Sequence, residues 1–379
     1  MRVYNGRLIT IENGVFENGY VDFEEGKITA FGPMETASVY DGPVLDVKGG
    51  WIMPGLIDAH THIGVCEESS GGMGNDCNEI ATKPATPDMR AIDGVNPWDP
   101  SIKKSRDAGV VTVGVCPGSA NVIGGQIAAM KLAGETVEEM TIKSCAAIKM
   151  ALGENPKKTY GEARKIAPKT RMAIASIMRK YLTDAQNYAE KKAAGEKVCD
   201  LEMEALLPLV RGEIPVHFHA HEADDILTAM RIAHEFNLKY SIVHATDAGR
   251  IIPKFVSEGR IPMVGPAACW TSKHEMMNNS MATPGLLNNA GAEVAITTDH
   301  DVTPLWLLPL FAGLAVREGL DEEAAFRAIT INGAKALGVD NRVGSIAVGK
   351  DADIVVYTGH PFQYLTKVEA VFINGKQYK

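Results

Sequence analysis

Two histidines set one residue apart, His60 and His62, close a short apolar run that opens at Pro54-Gly55. Residues two apart in an extended strand face the same side, so Asp58, His60 and His62 share a face. Two neutral imidazoles on one face can hold a borderline divalent metal such as zinc. A strand with hydrogen-bonded histidines is the plainer reading of such a pair. Four later stretches have the same design, an apolar run ending in a group able to bind metal or move a proton. They are Ala147-Ile148-Lys149, Val216-His217-Phe218-His219-Ala220-His221, Tyr240-Ser241-Ile242-Val243-His244, and Val294-Ala295-Ile296-Thr297-Thr298-Asp299. Imidazoles and a carboxylate gathered from these stretches could surround one cation.

Such residues need a scaffold that brings distant stretches together. Between about residues 54 and 344, strand and helix patterns alternate, as in a parallel sheet with crossover helices. The expected strands are Leu56–His62, Val110–Val115, Gln126–Leu132, Ala147–Met150, Ile214–His219, Tyr240–His244, Ile261–Gly265 and Glu293–Thr298. Eight strands close a (β/α)8 TIM barrel, whose chemistry sits at the C-terminal strand ends. His60, His62, Lys149, His219, His244 and Asp299 all fall at such ends. Helices are expected over Gly161–Lys180, Thr183–Lys192, Ala223–Phe236 and, capped by Asp321, Asp321–Ile329.

The two chain ends read differently. Short β-rich runs with tight turns such as Asn13-Gly14 and Asn374-Gly375 fill residues 1–53 and 345–379. Neither end can cover both faces of a sheet by itself, so the two are expected to build one small β-sandwich domain, with the 54–344 barrel inserted. Residues 64 to about 100 are rich in Gly, Asn, Pro and Thr, and this long loop is expected to cover the site.

Composition narrows the partners. Across 379 residues the formal net charge is -9, which argues against nucleic acid. No apolar signal region opens the sequence and no run is long enough to span a bilayer, so a soluble, cytoplasmic protein without membrane contact is expected. The six cysteines contain no Cys-x-x-Cys pair and read as free thiols. Cys66 and Cys77 lack ligand spacing to a partner. The expected partner is a small-molecule substrate, and a homo-oligomer is compatible with this reading.

Pro54–His62, the His219-Ala220-His221 segment, His244, Asp299 and the Gly344–Val356 stretch together resemble the amidohydrolase superfamily, and more narrowly its imidazolonepropionase and prolidase-like branch. The resemblance implies a barrel joined to a β-sandwich and a divalent metal, zinc or else iron or manganese, with one or two ions. It implies His60, His62, His219, His244 and Asp299 as ligands. Lys149 falls where two-metal members carry a carbamylated lysine. Thr297-Thr298 stands where relatives often have Gly-Thr, and His217 or His221 could replace His219 as the ligand. Asp299 is expected to move the proton and His244 to polarise the reacting oxygen. His221, Asn121, Trp270, Lys273 and His274 are candidate substrate contacts. The implied reaction is hydrolysis of a C–N bond in a cyclic amide, amide or dipeptide. A deaminase of aminated heterocycles on the same scaffold is the second reading, and a scaffold protein without catalysis the third.

Overall fold

Two eight-stranded sheets carry the architecture. The computed structural model describes every residue except Ser69 and Ser70, which belong to the loop expected over 64–100 and lie outside the described residues.

The first sheet is made from both ends of the chain. Its order is Lys376–Gln377, Val368–Ile373, Ile354–Tyr357, Trp51–Pro54, Arg2–Ile9, Val15–Glu24, Lys27–Pro33, with Val44–Asp46 paired to Arg2–Ile9. Turn chemistry sets the N-terminal hairpins. Glu25 and Gly26 both take positive φ, 48° and 78°, the conformation that lets a two-residue turn follow the strand twist. The ends meet where Ile354–Tyr357 pairs antiparallel with Trp51–Pro54. Val3, Leu8, Val21, Phe23, Ile52, Ile354, Val356 and Phe372 form a small core on this sheet.

The second sheet follows chain order: Leu56–Thr61, Val110–Val115, Ile123–Lys131, Thr141–Ala151, Val216–Ala220, Tyr240–His244, Met263–Val264 and Ala295–Ile296. Helices pack around it in a TIM-barrel-like α/β fold. One strand departs from the expected pattern. Ile123–Lys131 runs antiparallel to both neighbours, with Val113 opposite Met130 and Gln126 opposite Ile148. The cause is chain length. Residues 116–122 are too few for a parallel crossover, which needs about a dozen residues or more. The eight strands are therefore not all parallel, and the third begins, rather than ends, at the rim that carries the histidines.

Helix boundaries also differ. In place of helices over Gly161–Lys180 and Thr183–Lys192 there is one, Arg171–Ala193, whose first turn is capped by the Thr170 hydroxyl. Pro168 and the cap at Thr170 set its start. Thr183 sits inside it because nothing nearby breaks the apolar helical face.

The barrel seam is closed by side chains. The Thr297 hydroxyl donates to the His60 carbonyl at 2.7 Å, and the Asp58 carboxylate accepts from the Thr298 N–H and hydroxyl, both at 2.8 Å. Asp58 thus ties the first strand to the eighth. At the other end of the barrel, buried Lys131 reaches Asp351 at 2.7 Å and Asp353 at 2.8 Å of the terminal sheet. The loop over 64–100 is pinned along the third strand, where Ala85 bridges Ile123 and Arg90 bridges Gln126. Among the described residues, no helix is long and apolar enough to cross a membrane.

Candidate metal centre

The strand-end residues converge. His60 Nε2 lies 3.2 Å and His62 Nε2 3.5 Å from the same Asp299 oxygen, Oδ1. Lys149 Nζ is 3.2 Å from His60 Nε2. Beside them, the ligand atoms of His219, His221 and His244 gather within 4.8 Å of one another, as do those of His60, His62 and Asp299. The two groups touch through His244, whose ring lies 5.4 Å from His60 and 4.4 Å from His219, centre to centre.

Backbone carbonyls aim several rings. His62 donates from Nδ1 to the Cys116 carbonyl at 2.8 Å, leaving Nε2 to face Asp299. His244 donates from Nδ1 to the Gly265 carbonyl at 2.7 Å. Its own backbone and that of Asp299 adopt left-handed conformations, φ 72° and 52°. Non-glycine residues take this region at a cost, and such residues cluster at functional sites. His217 is not in the group, since its Nε2 donates to the Ala336 carbonyl at 3.0 Å, deeper in the barrel.

Charge follows burial. Desolvation, then the nearby Lys149 charge, pushes His60 well below the ordinary imidazole range. Burial does the same to His219 and His221, seconded by His244, and takes His244 down to about 4. Burial also lowers Lys149. Burial works against a charge on His62 too, but the Asp299 carboxylate beside it more than offsets this and raises the imidazole. Burial opposes the charge on Asp299, but His244, His60 and His62 outweigh it and hold the carboxyl well below the usual range. Neutral imidazoles at His60, His219, His221 and His244 beside an ionised carboxylate are the protonation states that metal ligands need.

A divalent ion fits this donor set. Asp299 Oδ1, His244 Nε2 and His219 Nδ1 are buried with no hydrogen-bond partner among the described residues. Leaving such atoms unpaired costs about 1–3 kcal/mol each, and a cation would engage the lone pairs of all three.

The remaining sequence candidates are scattered. His221 joins the second histidine group and bonds through Nδ1 to the Thr246 hydroxyl at 2.8 Å. Lys273 donates to Asn155 Oδ1 at 3.1 Å and to Glu275 at 2.7 Å. Asn121 is buried in the scaffold, donating to the Glu79 carbonyl and Thr86 hydroxyl and accepting from Tyr160. Trp270 is 86% exposed, and the His274 side chain is 79% exposed, 4.0 Å from Glu222.

Sequence reading passed over Glu275 and Asn155. Glu275 is buried with Oε1 3.7 Å from Nε2 of both His219 and His221. Asn155 donates to the Ser119 hydroxyl and stands 3.5 Å from His219 Nε2. Each lies in a single short helical turn, Glu154–Lys157 and His274–Met276, too short for a helical period to mark one residue as inward-facing.

Known proteins share this arrangement of elements. A model described as "Amidohydrolase family" matches residues 51–378. The structure of an amidohydrolase from Thermotoga maritima MSB8 superposes with a TM-score of 0.95 at 40% identity, covering 99% of this chain and 98% of that one. Amidohydrolase tasK of Hapsidospora irregularis is 29% identical over 390 residues, which span 95% of this chain and 39% of tasK. Imidazolonepropionase of Shewanella frigidimarina is 25% identical over 380 residues, spanning 91% and 87% of the two chains.

Proposed function

The chain belongs to the amidohydrolase family, in its imidazolonepropionase-like branch, and from that premise we propose a metal-dependent hydrolase that opens a C–N bond of a small cyclic amide, amide or dipeptide. As a family member it is a hydrolase of carbon–nitrogen bonds other than ordinary peptide bonds. The observation that carries the proposal is the approach of His60 and His62 to one unpaired Asp299 oxygen, with Lys149 set against His60.

In this reading His60, His62, His219, His244 and Asp299 hold the metal, zinc being the ion that suits imidazole and carboxylate donors. A divalent ion there supplies a Lewis acid and lowers the pKa of water to roughly 7. Burial lowers Lys149 and so favours the neutral amine, the form that adds carbon dioxide, and its carbamate would offer two oxygens to a two-ion centre. Asp299 takes the proton of the attacking water and returns it to the leaving nitrogen. His244 stands where negative charge develops on the substrate oxygen. His221 and Lys273 border the substrate space, and Trp270 and His274 reach it only as exposed contacts on its entrance loop. Asn121 shapes that space through the loops it ties together. Residues 1–53 and 345–379, which share one sheet, would make up the companion β-domain, and residues 54–344 the catalytic barrel.

The test is an assay of zinc-loaded, full-length protein on a panel of cyclic amides, N-acyl amino acids, dipeptides and aminated heterocycles. Ring opening or amide cleavage that stops on chelation and returns with zinc supports the proposal. Ammonia release from the heterocycles alone would replace it with the deaminase reading. Protein that takes up no divalent metal would overturn both.

A further inference from the structure

Glu275 comes from the loop after the seventh barrel strand, and its side chain is 2% exposed. Oε2 accepts from the Glu154 backbone N–H at 2.8 Å, and Oε1 accepts from Lys273 Nζ at 2.7 Å. The approach needs Gly153, at φ +83°, because a Cβ there would stand 2.6 Å from Oε2. The loops after the fourth and seventh strands are thereby locked together around one buried carboxylate.

Each neighbouring histidine shows this carboxylate one nitrogen. Oε1 is 3.7 Å from Nε2 of His219 and 3.7 Å from Nε2 of His221. That is longer than a hydrogen bond, so the effect is one of charge. The other ring nitrogens have different fates. His221 Nδ1 meets the Thr246 hydroxyl, whereas His219 Nδ1 is buried with no partner. The Asn155 amide nitrogen stands 3.5 Å from the same His219 nitrogen, at the long limit of a hydrogen bond, so the carboxylate charge decides: it favours the tautomer with the proton on Nε2, which leaves the lone pair on Nδ1. Metal-binding histidines commonly have their second nitrogen facing a carboxylate in this way.

We propose that Glu275 is a positioning residue that holds the proton of His219 on Nε2, presents Nδ1 to the metal, and so couples the seventh-strand loop to the centre. The proposal rests on the metal-dependent reading above and adds a residue to it. Lys273 neutralises the carboxylate from the solvent side and keeps its charge tolerable in a buried place.

The test uses full-length protein with 15N-labelled histidine, read by imidazole 15N–1H NMR without metal, and zinc affinity by competition with a chromogenic chelator. Glu275→Gln should raise the Nδ1–H population of His219 and weaken zinc binding by about 10- to 100-fold. Glu275→Asp, which keeps the charge, should recover the wild-type tautomer and part of the affinity. Should the Gln variant fold poorly, the Asp variant against wild type still decides: loss of the Nε2–H tautomer there overturns the proposal. Zinc binding weakened with the tautomer unchanged also overturns it, leaving only a structural role. Wild-type protein that binds zinc while Glu275→Gln matches it overturns this inference alone. Wild-type protein that takes no zinc overturns the metal reading and this inference with it.

Discussion

The third barrel strand joins two buried polar clusters built on opposite plans. Near its start Gly125 pairs with Lys149 at the histidine rim, and at its end Lys131 enters the junction with the terminal sheet. At the junction, charges are matched. Lys131, 3% exposed, is bracketed by Asp351, Asp353 and Asn374, and Asp351 also receives Lys27 and Arg342. At the rim, lone pairs face lone pairs, His244 and Asp299 have left-handed backbones, and atoms of His60, His219, His244 and Asp299 lack partners. A polar cluster that completes itself joins parts of a fold. One that leaves acceptors facing each other is shaped for something that arrives later.

The sharpest division between the two clusters is expected from Asp299→Asn. The amide keeps size and one oxygen but cannot take the water's proton. Turnover should fall by about 10²- to 10⁴-fold, the range typical of losing a general acid–base group. Zinc content, measured by elemental analysis, should fall much less. Near-normal turnover would remove Asp299 from proton transfer.

Lys131→Met should do the reverse. Removing one partner of a buried ion pair typically costs about 3–5 kcal/mol, because the remaining carboxylates are left buried and uncompensated. Urea unfolding of the variant should show that loss, with turnover per folded molecule unchanged. A large fall in turnover at full stability would mean that the junction reaches the chemistry.

Zinc should stabilise the rim without touching the junction. A ligand at 100 times its dissociation constant adds about 2.7 kcal/mol to folding stability. The gain should be the same in wild type and Lys131→Met, since distant sites add independently. Unequal gains would show that the ends of the third strand are coupled.

These contrasts also explain what could be read from the chain beforehand. The histidine-bearing strands were legible because each couples an apolar run to a polar end, and burial forces that pattern on a barrel strand. The joining of the chain ends was legible because neither end could cover a sheet alone. The direction of the third strand was written in the short 116–122 connection, but its buried, mostly small and apolar residues look the same in either direction and hid it behind the rhythm of the neighbours. The two-helix reading of 161–192 failed because helix-forming composition continues through Thr183, while the true start is set by the Thr170 cap. Asp58 shares its strand with the histidines, yet its carboxylate serves the seam, since side-chain direction at a closing edge depends on a strand some 240 residues away. Glu275 and Asn155 had no local mark, as residues in one-turn helices are aimed by tertiary contacts rather than by a repeating period.

The smallest expected effect lies at the junction, in its acid limb. Burial works against the Asp351 charge, but Lys131, Lys27 and Arg342 outweigh it and bring its carboxyl down to about 2. An unfolded aspartate titrates near pH 3.9. The folded state therefore binds this proton less readily than the unfolded chain. The stabilisation from Asp351 is complete above about pH 4 and disappears as pH falls toward about 2. Asp351→Asn should cost stability at pH 7, and the gap to wild type should narrow between pH 4 and pH 2. Asp353 is displaced in the opposite sense, since burial outweighs Lys131 and raises its carboxyl, so Asp353→Asn should not show that narrowing. Urea unfolding of zinc-free protein across this range checks both, with metal release from the rim kept out of the measurement. A gap that stays constant for Asp351→Asn would mean its worth is packing rather than charge, and the contrast between a matched junction and an unmatched rim would lose its electrostatic half.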